Sequence, residues 1–415
     1  RWRWGARGLA RSARTIAHAR QAAPGTGTMN HLKKTPFALE RYFAEYEFSA
    51  PHLLCCSDCE AVTLKEVLGL ADAECSALWD SMSLGYTESQ GLPRLRADVA
   101  ALYDGVEDAG VIVGAPQELI LLGLSALVDP GDHVICTWPG YQSLYETAVA
   151  VGAEVSRLDV TTLERGGGLS AAVAGLLQPN TKVVVINAPH NPTGWLPSPM
   201  EHAELIKLLD ARGIYLFSDE MYAGLEVDPA AALPPAAAAY PRGVSLNGVS
   251  KTLSMPGARL GWLAAQDTDL IARVLGLRDY TTICSAAPSE IIGLIAVRNR
   301  AWLIERNMSI IRRNLELLDK FFAKHSRRLT WIRPKAGSIC FPTVLGLRDG
   351  ASVETMCRDL VDKKGVMLLP ATVYGYADPD RPETQRFRLG LGRANLPECL
   401  RLFGEYLDSK PDVFA

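Results

Sequence analysis

From about residue 111 to residue 265, short apolar runs alternate with longer stretches whose apolar residues recur every three or four positions. HVICTW (133–138), KVVVINA (182–188), IYLFSDE (214–220), GVSLNG (243–248) and ARLGWLA (258–264) read as strands. ELILLGLSALV (118–128), YQSLYETAVAVG (141–152) and MEHAELIKLLDARG (200–213) carry the helical spacing. Several strands are apolar almost throughout, which suits a sheet covered by helices on both faces. Alternating strands and helices predict a mostly parallel sheet. After about residue 285 the pattern becomes one helical stretch over 289–324, strand-like pieces at 338–344 and 385–391, and a helical tail from 395.

This pattern predicts an α/β fold with a large domain over 76–295 and a smaller α+β domain over 296–415. Residues 29–75 are expected to fold back onto the smaller one. The run PAAALPPAAAA (229–239) reads as a loop insertion with room for a short helical piece. Residues 1–28 contain arginines and no acidic residue, and are set aside from the fold. They read as sequence upstream of a start at Met29, with a cytoplasmic protein expected; the alternative is an organelle-targeting leader.

Composition narrows the function classes. Of the 415 residues, 48% are apolar and 21% charged, as in an ordinary soluble globular protein. A net charge of −3 gives no footprint for nucleic acid or an anionic membrane, and no apolar run is long enough for a membrane span. Nine scattered cysteines, an odd count, read as reduced thiols in an intracellular protein. HLLCCSDC (52–59) gathers three of them beside His52, but no second ligand pair follows at zinc spacing, so no metal is expected.

Four polar features fall at the ends of predicted strands: NAPHNPTG (187–194), SDEMY (218–222), Lys251 in GVSK, and Arg259. Open parallel sheets bind ligands outside the carboxyl ends of their strands. The topology would therefore gather an amine, a carboxylate, a phenol, an amide and a guanidinium into one site. NAPHNPTG, then SDEMY, then SK with arginine eight residues on, resembles the class I/II aminotransferases among the fold type I pyridoxal-phosphate enzymes. The resemblance runs from about Lys33 to the C-terminus. It implies a mostly parallel seven-stranded sheet sandwiched by helices, the cofactor pyridoxal 5'-phosphate, and a homodimer with active sites at the interface.

That resemblance assigns roles. Lys251 would condense with the cofactor aldehyde and carry the Cα proton, as a lysine whose pKa is lowered by its surroundings can. Asp219 would pair with the pyridine nitrogen, which makes a buried carboxylate tolerable. Tyr222 and Asn191 match positions that hydrogen-bond the ring oxygen, and Tyr141 the aromatic that stacks on the ring. Arg259 would grip the phosphate, with Ala115, Pro116 and Gln117 at a helix N-terminus. Here the chain departs from the family. Pro116 has no N–H, and Gly248 stands where many members place a phosphate-binding serine, so Ser250 is expected to compensate. Tyr86 and Thr282 would reach the phosphate across the dimer interface. Arg388 occupies the family position for the substrate α-carboxylate, with Arg386 two residues earlier as the competing assignment.

These residues imply α-amino-acid chemistry and leave the reaction open. Transamination between an L-amino acid and a 2-oxo acid is the first reading. The alternative comes from ERYFAEYEFSAPHLL, YTESQGLPRLR and DYTTICSAAPSE, which resemble the branch of capreomycidine synthase and related cyclising dehydratases of hydroxylated arginine. Such a site needs carboxylates facing a guanidinium. Glu40 is the candidate contact, with Glu45, Asp58 and Glu60 expected on solvated faces. A ligand-sensing regulator would need a basic DNA-binding module, which residues 29–75 do not supply.

Overall fold

The computed structural model describes residues 28–378, 380–409 and 412–415. The arginine-rich leader, up to residue 27, lies outside them. The centre is a seven-stranded sheet of β1 (Val111–Gly114), β2 (His133–Trp138), β3 (Glu154–Asp159), β4 (Thr181–Asn187), β5 (Tyr215–Asp219), β6 (Gly243–Gly248) and β7 (Gly261–Ala265). Across the sheet they run β1-β7-β6-β5-β4-β2-β3. All neighbours are parallel except β7, which is antiparallel to both β1 and β6.

The apolar runs are explained by two covered faces. On β4, Val183 and Val185 face one core, with the helices Pro116–Leu127, Ser143–Val151 and Thr268–Arg278 above it. Val184 and Ile186 face another, under the helices Leu169–Leu176 and Pro199–Asp210. With a period of two residues, both sets must be apolar for both faces to be dry. Ser198 starts the helix Pro199–Asp210 with a capping box to Glu201, worth about 1 kcal/mol.

One expectation changes here. The helical stretch over 289–324 is two helices, Ala287–Arg298 and Arg300–Lys324, broken at Asn299. The Asn299 amide donates to the carbonyls of Ile295 and Leu70, so a side chain competes for backbone acceptors and ends the first helix. The alanine/proline run does contain the short helical piece, Ala236–Ala239, and its first two residues are packed inside. Ala236 and Ala237 are fully buried, and their N–H groups donate to Glu220 and Ser245.

Beyond the sheet, Ile339–Cys340, Phe387–Gly390 and Leu369–Pro370 form a small antiparallel sheet under the helices Val353–Lys364 and Leu396–Asp408. Leu39, Tyr42 and Cys55 pack on it through Phe341, Met367 and Leu369. Residues just upstream turn the other way, with His31 bonded to Glu146 at 2.7 Å and Ala38 N–H to Gln142 at 2.9 Å. The segment over 29–75 therefore contacts both parts, and is not confined to the smaller one. It closes over the carboxyl edge of the large sheet and leaves a cavity there.

Candidate active site

Strand register sets the floor of this cavity. Asn187, the last residue of β4, lies level with Asp219, the last of β5, and Asp219 with Leu246 of β6. Lys251 follows three residues after β6. Arg259 precedes β7, which runs the opposite way, so it emerges at the same edge. The cavity measures about 600 Å³ and is lined by Asn187, Asn191, Asp219, Tyr222, Lys251 and Arg259, with Pro116, Gln117, Tyr141, Ser250 and Arg388. Eleven of the expected site residues thus face one space, counting Glu40 at its rim and leaving out Asn187.

Asp219 is buried, and the one hydrogen bond to its carboxylate among the described residues is from the Met221 N–H, 3.2 Å from Oδ1. Burial pushes its pKa up to about 7, against the pull of that N–H and of Lys251. Asn187 braces the corner, with Nδ2 donating to the Asp219 carbonyl at 2.9 Å and Oδ1 accepting from Asn191 N–H at 2.7 Å. Burial also lowers the Lys251 pKa, opposed chiefly by Asp58, which moves the amine toward the neutral form that can act as base. Nζ donates to Ser57 Oγ at 2.9 Å.

Arg388 is 2% exposed. Nε donates to the Cys55 carbonyl at 3.0 Å, and Nη1 to Tyr374 Oη at 3.0 Å and Asn191 Oδ1 at 3.2 Å. Nη2 and the amide Nδ2 of Asn191 have no partner among the described residues. A carboxylate can therefore accept from those two side chains together, rather than from two nitrogens of Arg388. Arg386 is settled elsewhere: it forms a buried ion pair with Glu164 at 3.1 Å. Breaking such a pair costs about 3–5 kcal/mol.

At the other end, the helix Pro116–Leu127 begins with proline and leaves first-turn N–H groups free to meet an anion. Ser250 Oγ and Gln117 Oε1 are buried beside it without a hydrogen-bond partner among the described residues. Ala115 is the residue ahead of the helix and does not line the cavity. Gly248 cannot be replaced by a residue with a side chain at no cost, since a Cβ there would lie 2.8 Å from Gly261 Cα and the Leu260 carbonyl. Arg259 adopts a left-handed backbone, φ 52°, a conformation of the strained kind common at ligand sites.

Tyr86 and Thr282 are not brought into the cavity of their own chain. Tyr86 is 91% exposed, and the Thr282 hydroxyl donates to Glu118 at 2.7 Å. Their two loops are tied together by Arg278, buried and bonded to the carbonyls of Ser89 and Val113 and to Ser285 and Thr282. Leu84, Tyr280 and Ile283 on the same loops are exposed as well.

The outer wall contains groups the sequence did not single out: Ser57, Glu47, Arg393 and, behind Arg388, Tyr374. Asp58 is not on a solvated face. It is 8% exposed and pairs with Arg393 through both oxygens, at 2.9 and 3.0 Å. An acid between Cys56 and Cys59, and an arginine five residues after Arg388, were the available signals. Glu45 is exposed and paired with Arg358, while Glu60 accepts from Ala394 N–H. Glu40 and Glu47, seven apart along one helical face, open onto the cavity. Burial raises the Glu47 pKa, and repulsion by Glu40 and Asp58 adds to it.

The donor set fits pyridoxal phosphate. A buried carboxylate with no ion pair among the described residues suits a ring N–H⁺, and the unpartnered Ser250 hydroxyl with the first-turn N–H groups near Arg259 suits a phosphate. The comparisons agree. The family model for aminotransferases of class I and II matches residues 55–401. The chain is 29% identical over 309 residues to capreomycidine synthase of Streptomyces vinaceus, covering 72% of this chain and 77% of that one. It is 25% identical over 337 residues to aspartate aminotransferase of Thermotoga maritima, with 78% and 84% covered. Among solved structures, a pyridoxal-phosphate-dependent aminotransferase from Streptococcus suis gives a TM-score of 0.80 at 27% identity, covering 91% of this chain and 99% of that one. The pyridoxal-phosphate-dependent cyclase OrfR gives 0.82 at 28%, with 91% and 98% covered. The chain belongs to the class I and II aminotransferases, enzymes of fold type I that work with pyridoxal 5'-phosphate.

Proposed function

We propose that the protein moves the amino group of an L-amino acid with a cationic side chain to a 2-oxo acid, as a homodimer. The observation that carries the reading is the convergence of Asp219, Lys251 and Arg388 on one cavity. When bound, the cofactor supplies an electron sink for the pair released at Cα. Lys251 anchors it and moves the Cα proton, and Asp219 keeps the ring nitrogen protonated. Asn191 and Tyr222 hold the ring oxygen, with Tyr141 against the ring face. Pro116, Gln117, Ser250 and Arg259 hold the phosphate end.

Arg388 Nη2 and Asn191 Nδ2 orient the substrate carboxylate, so that the scissile bond is set by two fixed donors. Glu40 and Glu47 then face the side chain, and two carboxylates that form no ion pair among the described residues support a distal ammonium or guanidinium there. Tyr86 and Thr282, on exposed loops rigidified by Arg278, support a role in the partner subunit's phosphate site.

The same carboxylates favour the second reading, cyclisation of a hydroxylated arginine with loss of water. One experiment separates the two. The protein with cofactor is mixed with single amino acids, hydroxyarginines included, and product mass and cofactor absorbance are followed. Appearance of a 2-oxo acid is the expected result. Loss of water with the amino group retained would install the cyclase in its place.

A further inference from the structure

The segment from Cys55 to Cys59 is buried throughout, and the reaction outlined above uses none of its side chains. It touches the site at three points all the same. The Cys55 carbonyl holds Arg388, Asp58 holds Arg393, and between them Ser57 Oγ accepts from Lys251 Nζ at 2.9 Å. Ser57 is itself fixed in place. The hydroxyl of Ser338, fully buried, donates to the Ser57 carbonyl at 2.7 Å. Gly337 beside it, at φ +83°, packs near the Tyr222 ring.

A hydroxyl has one proton to give and lone pairs to accept with. In accepting from Lys251, Ser57 uses a lone pair of a side chain whose own backbone is pinned by Ser338. A lysine carries about 2 kcal/mol of rotamer entropy, so an amine that leaves and returns benefits from a fixed place to wait. We propose that Ser57 is a positioning residue of the reaction, holding the Lys251 amine at a fixed point on the cavity wall whenever that amine is free. The inference rests on Lys251 being the lysine that carries the cofactor.

Ser57→Ala should keep the cofactor bound and lower kcat about 10- to 100-fold, the loss of one hydrogen bond to a charged group. KM for the amino acid should stay within about twofold, because Arg388 and Asn191 are untouched. Ser57→Thr, which keeps the hydroxyl, should recover most of the lost kcat. A second measurement needs no cofactor: the pH dependence of Lys251 acetylation by acetic anhydride, read by mass spectrometry on the cofactor-free chain. Asp58, Cys56, Arg388, Arg259, Asp219 and Glu47 face or influence this amine in parent and variant alike. Loss of the acceptor disfavours the ammonium form, so the midpoint should fall in Ser57→Ala and return in Ser57→Thr. An unchanged midpoint overturns the proposal. So does a fall in kcat matched by weaker cofactor binding or a raised KM, which would make Ser57 a packing residue. If Lys251→Ala still binds the cofactor covalently, the reading of the site fails, and the acetylation result then decides Ser57 on its own.

Discussion

The floor of the cavity and its outer wall are built in opposite ways. Asn187, Asp219 and Lys251 come from or just after adjacent strands, and one set of sheet hydrogen bonds fixes their spacing. The wall joins the two ends of the chain: Lys251 meets Ser57 across 194 residues, and Asp58 meets Arg393 across 335. A rigid floor holds the groups that every amino acid would need. A wall made of side chains from distant segments can vary its charge without disturbing the sheet. On the proposed reading, selectivity would rest on the wall and the chemistry mainly on the floor, with Ser57 the point where the wall reaches the lysine.

That contrast is open to direct attack. Lys251→Ala, on the floor, should abolish the visible absorbance of covalently held cofactor and cut turnover on the order of 10⁴-fold or more with every substrate. Persistence of that band would place the anchor elsewhere. Arg388→Ala, where wall and floor meet, should lower kcat/KM by about 2–5 kcal/mol, through binding of the carboxylate and through the loss of support for Asn191 and Tyr374. Steady-state kinetics with several amino acids should show the same loss for each.

Glu47→Gln, purely on the wall, should behave differently. Preference for a cationic over a neutral amino acid of equal length should fall about fivefold, the worth of roughly 1 kcal/mol for a partly exposed charge. Equal effects on both substrates would erase the distinction between floor and wall. The smallest effect is on the cofactor-free protein alone. Asp219 holds its proton up to about pH 7 when folded, above the ordinary carboxyl range. The folded state then binds more protons than the unfolded state between about pH 4 and 7, so this group's contribution to stability falls as pH rises through that window. Asp219→Asn should flatten this part of the Tm-against-pH curve, leaving the parts due to Glu220 and Glu290, which burial also raises to about 7. Thermal melts from pH 5 to pH 8 test it.

The same division governs what could be read from the chain. The central strands were legible because both their faces are dry. β3, EVSRLD, is an edge strand with exposed positions, so it has no apolar run to betray it. β1 was passed over because it is only four residues long. On the floor, short motifs carry their own geometry, since each lies at the end of a strand whose place is set by its neighbours. On the wall, nothing local marks Ser57 or Tyr374: their roles arise from contacts closed by the folding of distant segments. Asp58 misled for the same reason, because an acid is assigned to solvent until its arginine is found.

The tight apposition of β6 and β7 has a consequence for anyone altering this enzyme. With Gly261 Cα and the Leu260 carbonyl 2.8 Å from where a first side-chain carbon at 248 would sit, and the Pro116 ring at 3.3 Å, a hydroxyl cannot simply be written in there. Attempts to fasten the cofactor's tail more firmly have to begin at 250, or at the start of the neighbouring helix, where a free oxygen already looks into the space.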